Sequence, residues 1–186
     1  GFVFLTVGWV IVAGLFKFSF AQAFDWPDSA YVYNADFFAK LGATAIQASA
    51  RRLGADSIVV LRGVEDQKAY DRGLSNTTTA RDLAVLLAAI AQGRAASDSS
   101  SAIMLTILSQ QQFRAGIPAG IPPGTRVASK TGNITGVNHD AAVIFPPARP
   151  PYVLVILTRG FASPDAAEAY MAAVSRAVWA GLVGLP

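Results

Sequence analysis

Three apolar runs in the C-terminal third restrict this chain more than any other feature: residues 125–131, 138–145 and 152–159. Each has the length and composition of a strand. The linkers between them are short and built from turn material, "NITG" in the first and "PPARPP" in the second. Short linkers join strands antiparallel, so the simplest topology is a meander in chain order. Ser163-Pro164 then supplies an N-cap followed by proline at the first helical position. Ala167, Met171, Val174 and Val178 recur at helical spacing, which predicts a C-terminal helix packed on the sheet.

Upstream, the periodicity is helical. Ile46, Ala50 and Leu53 share a face, and Gly54 is placed to stop that helix. "SIVVL" (57–61) reads as a short strand or buried extended piece, and residues 62–76 as a structured loop carrying two glycines. Thr79 is an N-cap with Asp82 three residues on. Leu83, Leu86, Leu87 and Ile90 form the stripe of that helix, and Gly93 ends it. A further helix starts in the Ser/Asp cluster at 97–101, with Ile103, Met104, Ile107 and Leu108 expected inward. "AGIPAGIPPG" (115–124) suits neither a helix nor a central strand and is expected to be an irregular surface loop. The fold class is therefore α+β: helices first, then a small antiparallel sheet with a final helix across one face.

A chain of 186 residues is the size of one domain. Its apolar share of 53% is above the usual, and part of the excess lies at the N-terminus. "GFVFLTVGWVIVAGLF" (1–16) carries no charge, and Ala21-Gln22-Ala23 is a small-x-small cleavage pattern. Residues 1–24 read as a signal peptide or membrane anchor, with a buried core segment as the competing reading. Export would make the rest periplasmic or secreted, with any membrane tether lying in 1–24. Residues 25–43, aromatic-rich and without a clean period, are expected to be a connector before the domain at 44–186. The net charge of +3 is dispersed, with no Lys/Arg stripe of the kind that binds nucleic acid. The absence of cysteine removes disulfides and thiolate metal sites, and a single histidine argues against a His-based metal centre. No metal or cofactor is implied.

The stretch that points to chemistry is "VASKTGN" (127–133). On a strand, Lys130 and Gly132 share one face and Thr131 takes the other. Twist and the following turn bring the ammonium and the hydroxyl to one rim. That pair suits a carboxylate, and the glycine lets a substrate backbone lie close. Standing alone, Lys-Thr-Gly is also what a strand entering a turn looks like.

Its setting is more specific. The order "NTTTARDLAVLLAAI", a Gly/Pro loop, "GTRVASKTGNITGVNHDAAVIFPP", "PYVLVILTRG" and a closing helix resembles the C-terminal half of class A serine β-lactamases, within the wider family of penicillin-recognising serine hydrolases. The resemblance covers residues 44–186. It implies a partial β-lactamase/transpeptidase-like fold in which Lys130, Thr131 and Gly132, with Ser129 beside them, bind the substrate carboxylate. By the same likeness Lys130 serves the catalytic centre, and 62–76 is the loop carrying the base that activates the deacylating water. Glu65 is the best-placed candidate base and Asp66 its rival. Solvated charges, or pairs with Arg62 or Lys68, are the competing reading for both.

The pattern is incomplete. The family's nucleophile lies in Ser-x-x-Lys, where the lysine one turn on can take the serine's proton. Three residues before Lys17, Lys40, Lys68 and Lys130 stand Gly14, Phe37, Glu65 and Val127, none a serine. Ser-x-Asn is missing as well: two residues before Asn34, Asn76, Asn133 and Asn138 stand Val32, Leu74, Thr131 and Gly136. His139-Asp140 does not supply a triad, because adjacent strand residues point to opposite faces. The expectation is a β-lactamase-like serine hydrolase, acting on a β-lactam or cell-wall peptide, that is truncated and lacks its nucleophile. The alternatives are a D-Ala-D-Ala peptidase or esterase-like relative, and a non-catalytic exported module that binds cell-wall peptides.

Overall fold

The computed structural model describes residues 30–63, 66–134 and 136–184. The expected leader at 1–24 lies outside the described residues. From Ala30 the backbone is helical: α1 (Ala30–Arg52) is interrupted at Gly42, whose φ of 73° and ψ of 156° are not helical. Gly54, at φ 91°, ends it, and the amide of Ala55 returns to the carbonyl of Ala50 at 3.1 Å.

After α1 the chain forms α2 (Gln67–Asp71), α3 (Ala80–Ala91), α4 (Asp98–Ser109) and a 3₁₀ turn (Ile117–Gly120). The sheet follows as β1 (Arg126–Ile134), β2 (Val137–Phe145) and β3 (Tyr152–Arg159), and α5 (Pro164–Leu182) closes the fold. The strands pair antiparallel in the order β1-β2-β3, the meander expected from the short linkers. Thr79, Ser97 and Ser163 each cap a helix with their hydroxyl, accepting from Asp82, Ser100 and Ala166. Asp82 also accepts from the Ser57 amide at 2.9 Å, which ties the segment after α1 to the start of α3.

The sheet is a middle layer. Ala128, Ala141 and Val143 face Leu83, Leu86, Leu87 and Ile90 of α3 and Ile46 and Ala50 of α1. Val127, Ala142, Ile144 and Ile156 face Ile117, Met171 and Trp179 on the opposite side. The alternation of side chains along each strand divides the two cores.

Four local expectations change on folding. "SIVVL" forms no strand, only a bridge between Val59 and Thr77. Side chains claim the next amides instead: Gln47 accepts from Val60 and Asn76 from Leu61. The loop 62–76 contains α2, nucleated by Asp66, whose carboxylate accepts from the Ala69 amide at 2.9 Å. Of the four apolar side chains expected inward on α4, Met104 and Leu108 are buried, while Ile103 and Ile107 are 40% and 46% exposed. A 12-residue helix seated on a sheet edge buries one narrow i, i+4 row, and the neighbouring row stays outside. The segment 115–124 is not wholly at the surface, because Ile117, Pro118, Gly120 and Ile121 are buried.

Gly120 explains that last burial. A Cβ there would stand 2.3 Å from the Ala172 carbonyl oxygen and 2.8 Å from the Arg176 amide, so only glycine lets the 3₁₀ turn lie against α5. Among the described residues no helix is long and apolar enough to cross a membrane. Gly120→Ala should cost about 2–3 kcal/mol, the scale of an overpacked core. Gly181→Ala, on α5 with open space around it, should be neutral or gain up to about 1 kcal/mol. Urea denaturation of the two variants measures both.

Candidate functional site

Strand β1 leaves the core partway along its length. Val127, Ala128 and Ser129 are buried, Lys130, Thr131 and Gly132 are half-buried, and Asn133 is exposed. The N-terminal half is held down by α4: the Arg126 Nε donates to Ser109 Oγ at 3.2 Å while its guanidinium lies 4.6 Å over the Phe145 ring. Among the described residues β1 is an edge strand, with β2 as its neighbour on one side only.

The register assigns each side chain a face. Lys130 pairs with Ala141 and Gly132 with His139 on the α3 side, while Ser129 pairs with Ala142 and Thr131 with Asp140 on the α5 side. The four residues singled out in the sequence are thus contiguous but divided between two faces. Lys130, Thr131 and Gly132 come to the surface together. Ser129 is fully buried on the α5 side, and its hydroxyl finds no hydrogen-bond partner. Glu65 lies outside the described residues. Its rival Asp66 spends its carboxylate on capping α2.

The Lys130 ammonium donates to the Thr131 carbonyl at 2.6 Å. Burial pushes its pKa below the usual lysine value, and the charge of Asp140 opposes that shift. A partly dehydrated cation attracts a carboxylate more strongly than one in open water, because less solvent screens the pair.

Asp140 was legible only as half of a polar pair, and it does more. It is fully buried, and its Oδ2 accepts from the Ile117 amide at 2.8 Å, fastening the 3₁₀ turn to the sheet. The turn can approach because residue 116 is glycine: a Cβ there would sit 2.7 Å from that oxygen. Oδ1 has no hydrogen-bond partner. Burial pushes the Asp140 carboxyl up to about 6, against the pull of the Ile117 and Ala141 amides and Lys130, with Glu168 adding to the rise. His139 projects to the opposite side, where its Nδ1 accepts from the Thr158 amide at 3.0 Å, and burial lowers its pKa. The two members of a His–Asp relay are therefore separated by the sheet itself. Among the described residues no cluster of three or more His, Cys, Asp or Glu could hold a metal ion.

The loop at residues 62–76 is clipped by Asn76. Its Oδ1 accepts from the Leu61 and Arg62 amides at 2.8 and 3.1 Å, and its Nδ2 donates to the Arg62 carbonyl at 2.9 Å. The Arg62 guanidinium is buried with it, 5.2 Å over the Tyr70 ring. This neutral clip joins the two ends of the loop.

Known proteins share this fold. A profile described as the β-lactamase enzyme family matches residues 37–182. A β-lactamase of Streptomyces lavendulae is 32% identical over 90 residues, covering 46% of this chain and 28% of that protein. The crystal structure of a β-lactamase from Sphaerobacter thermophilus superposes with a TM-score of 0.75 at 29% identity, covering 85% of this chain and 60% of that one. The chain thus spans less than two-thirds of the length of either relative. A mutant of PBP-A, solved as an acyl-enzyme complex with penicillin G, is similar at a TM-score of 0.71 and 25% identity over 98% of this chain and 83% of that one. The α+β architecture and the partial match to the class A β-lactamase fold are thereby shown.

The buried carboxylate of Asp140 makes a pH-dependent contribution of definite sign. Its folded pKa of about 6 exceeds the ordinary 3.8, so charging it opposes folding, by about 3 kcal/mol once both states are ionised. That penalty is fully present above pH 6 and is relieved as the pH falls toward 4. Asp140→Asn keeps an acceptor for Ile117 without the charge. It should be more stable than the parent at pH 7–8, and the gap should close between about pH 6 and 4, read from thermal melts across that range. His139 has the opposite sign, its contribution being lost as the pH drops below 6.5, but it is common to both proteins and cancels in the difference.

Proposed function

Because the chain belongs to the β-lactamase enzyme family, we propose that Lys130, Thr131 and Gly132 form the carboxylate-holding wall of a serine hydrolase acting on β-lactam amides. The observation that carries this reading is the emergence of β1 from the core at Lys130. A half-buried ammonium, a hydroxyl on the opposite face and a residue without a side chain follow one another along a strand whose outer edge is unpaired among the described residues.

The chemistry proposed is acyl transfer in two steps. A serine hydroxyl attacks the cyclic amide carbonyl, the ring C–N bond breaks, and the acyl-serine is then cleaved by water. Lys130 and Thr131 hold the substrate's carboxylate so that its carbonyl lies in line with the attacking oxygen. The 186 residues contain neither Ser-x-x-Lys nor Ser-x-Asn, so in this reading they supply the wall and not the nucleophile. Glu65 is the residue proposed to orient the deacylating water, with Asn76 closing the neck of its loop. The leader-like residues 1–24 favour a site of action outside the cytoplasmic membrane.

Incubation of the full chain with a fluorescent penicillin distinguishes the possibilities. We expect reversible binding, seen as anisotropy, with no label surviving a denaturing gel. Lys130→Ala should weaken that binding about tenfold, the loss of one charge-assisted hydrogen bond. A covalent adduct on this chain would overturn the missing nucleophile, and binding indifferent to Lys130 would remove the wall. Retention of a D-Ala-D-Ala peptide in preference to penicillin would favour the peptide-binding alternative.

A further inference from the structure

A second concavity lies on the α5 side of the sheet, between the tip of the β1–β2 hairpin and the start of α5. Its volume is about 430 Å³, within the range of small-molecule sites. Asn133, Ile134, Asn138, Phe161, Ser163 and Pro164 contribute to its lining. Asn133 and Asn138 are direct partners in the β1–β2 register, so both amides project to the same face.

Asn138 is the unusual member. It is only 5% exposed, and among the described residues its side chain makes no hydrogen bond. The main-chain carbonyl of the same residue is engaged by the Thr158 hydroxyl. The side-chain nitrogen and oxygen are not among the fully sealed polar atoms, so the small exposure that Asn138 keeps lies at its amide, facing the cavity. An amide in that position keeps both a donor and an acceptor free of protein partners and open to a ligand that enters the cavity.

The other walls say what the partner is not. The start of α5 is already capped, since the Ser163 hydroxyl accepts from Ala166 and its carbonyl from Ala167. Pro164 has no amide hydrogen to offer, and Asp165 places a negative charge in the first turn. That helix end is therefore not prepared for a carboxylate or phosphate. The remaining surface is apolar and partly aromatic: Ile134, Pro164 and the half-buried Phe161, whose ring packs 5.3 Å from Tyr170 at 45°.

We propose that this cavity binds an acetamido group: a neutral secondary amide whose carbonyl accepts from the Asn138 amide, whose N–H donates to its oxygen, and whose methyl packs on Phe161 and Pro164. The group is carried by N-acetylated sugars and by N-acetylated amino acids alike. The proposal does not depend on the carboxylate wall, which presents Lys130 on the opposite face of the sheet.

The test follows the Asn138 side-chain amide by NMR in the full 186-residue chain. N-acetylglucosamine and N-acetyl-D-alanine are titrated separately, with glucose and D-alanine as matched compounds lacking the acetamido group. Saturable shifts of the Asn138 amide with an acetylated probe, absent with its control, are expected. A response to the sugar alone assigns a glycan source, to the amino acid alone a peptide source, and to both the shared group itself. Asn138→Leu should abolish the response, read from Phe161 ring resonances, by tenfold or more in affinity. Phe161→Ala, a substitution at the cavity mouth, should weaken binding several-fold and guards against a folding defect at position 138. No saturable shift with either probe, equal shifts with the controls, or unchanged affinity in both variants would overturn the assignment.

Discussion

Strand β2 is buried on both faces over residues 138–144, and everything else in the fold is arranged by that double burial. Its neighbouring residues Ala141 and Ala142 contact different layers, one the helices α1 and α3, the other α5 and the 3₁₀ turn. Small side chains at these two positions let helices approach from both sides at once, and close packing then leaves little freedom in register. A shift of one residue would turn Asp140 toward the apolar stripe of α3 and His139 toward α5. Two of the strand's buried polar residues have a specific station: His139 on the Thr158 amide, Asp140 on the Ile117 amide.

The candidate site inherits its geometry from this arrangement. Lys130 lies on the strand beside β2, where burial along β1 gives way to partial exposure, so its ammonium is half-dehydrated without being enclosed. Asp140, paired across the ladder with Thr131, opposes the loss of the lysine's proton while fastening the 3₁₀ turn on the far side. One carboxylate thus serves the fold and the electrostatics of the rim together. Its charge is kept at a cost to stability, which is the usual relation between a functional field and the packing that surrounds it.

Much of this was readable from local pattern. The caps Thr79 and Ser163 and the stop at Gly54 depend on contacts within a few residues, the stripe from Leu83 to Ile90 and the three strands on local periodicity, and each formed where the sequence places it. The failures share a cause. "SIVVL" has strand composition, yet the side chains of Gln47 and Asn76 reach its amides first. Ile103 and Ile107 are as apolar as Met104 and Leu108, but the sheet offers α4 room for one row only. Ile117, Pro118 and Ile121 are buried through a glycine whose importance lies in the α5 backbone more than fifty positions away. Asn138, a plain polar residue in the sequence, gains its character from a cavity assembled by two distant turns.

Alternation and turn length by themselves therefore determined the meander, the closing helix and the division of Lys130 and Gly132 from Thr131, because these follow from the period of a strand and the reach of a short linker. Which of those residues meet solvent, which carboxylate stands behind them and which amide is left facing a cavity were decided only when the two helical layers closed on β2. Exposure and electrostatic environment are properties of neighbours brought from far along the chain, and no window of sequence contains them.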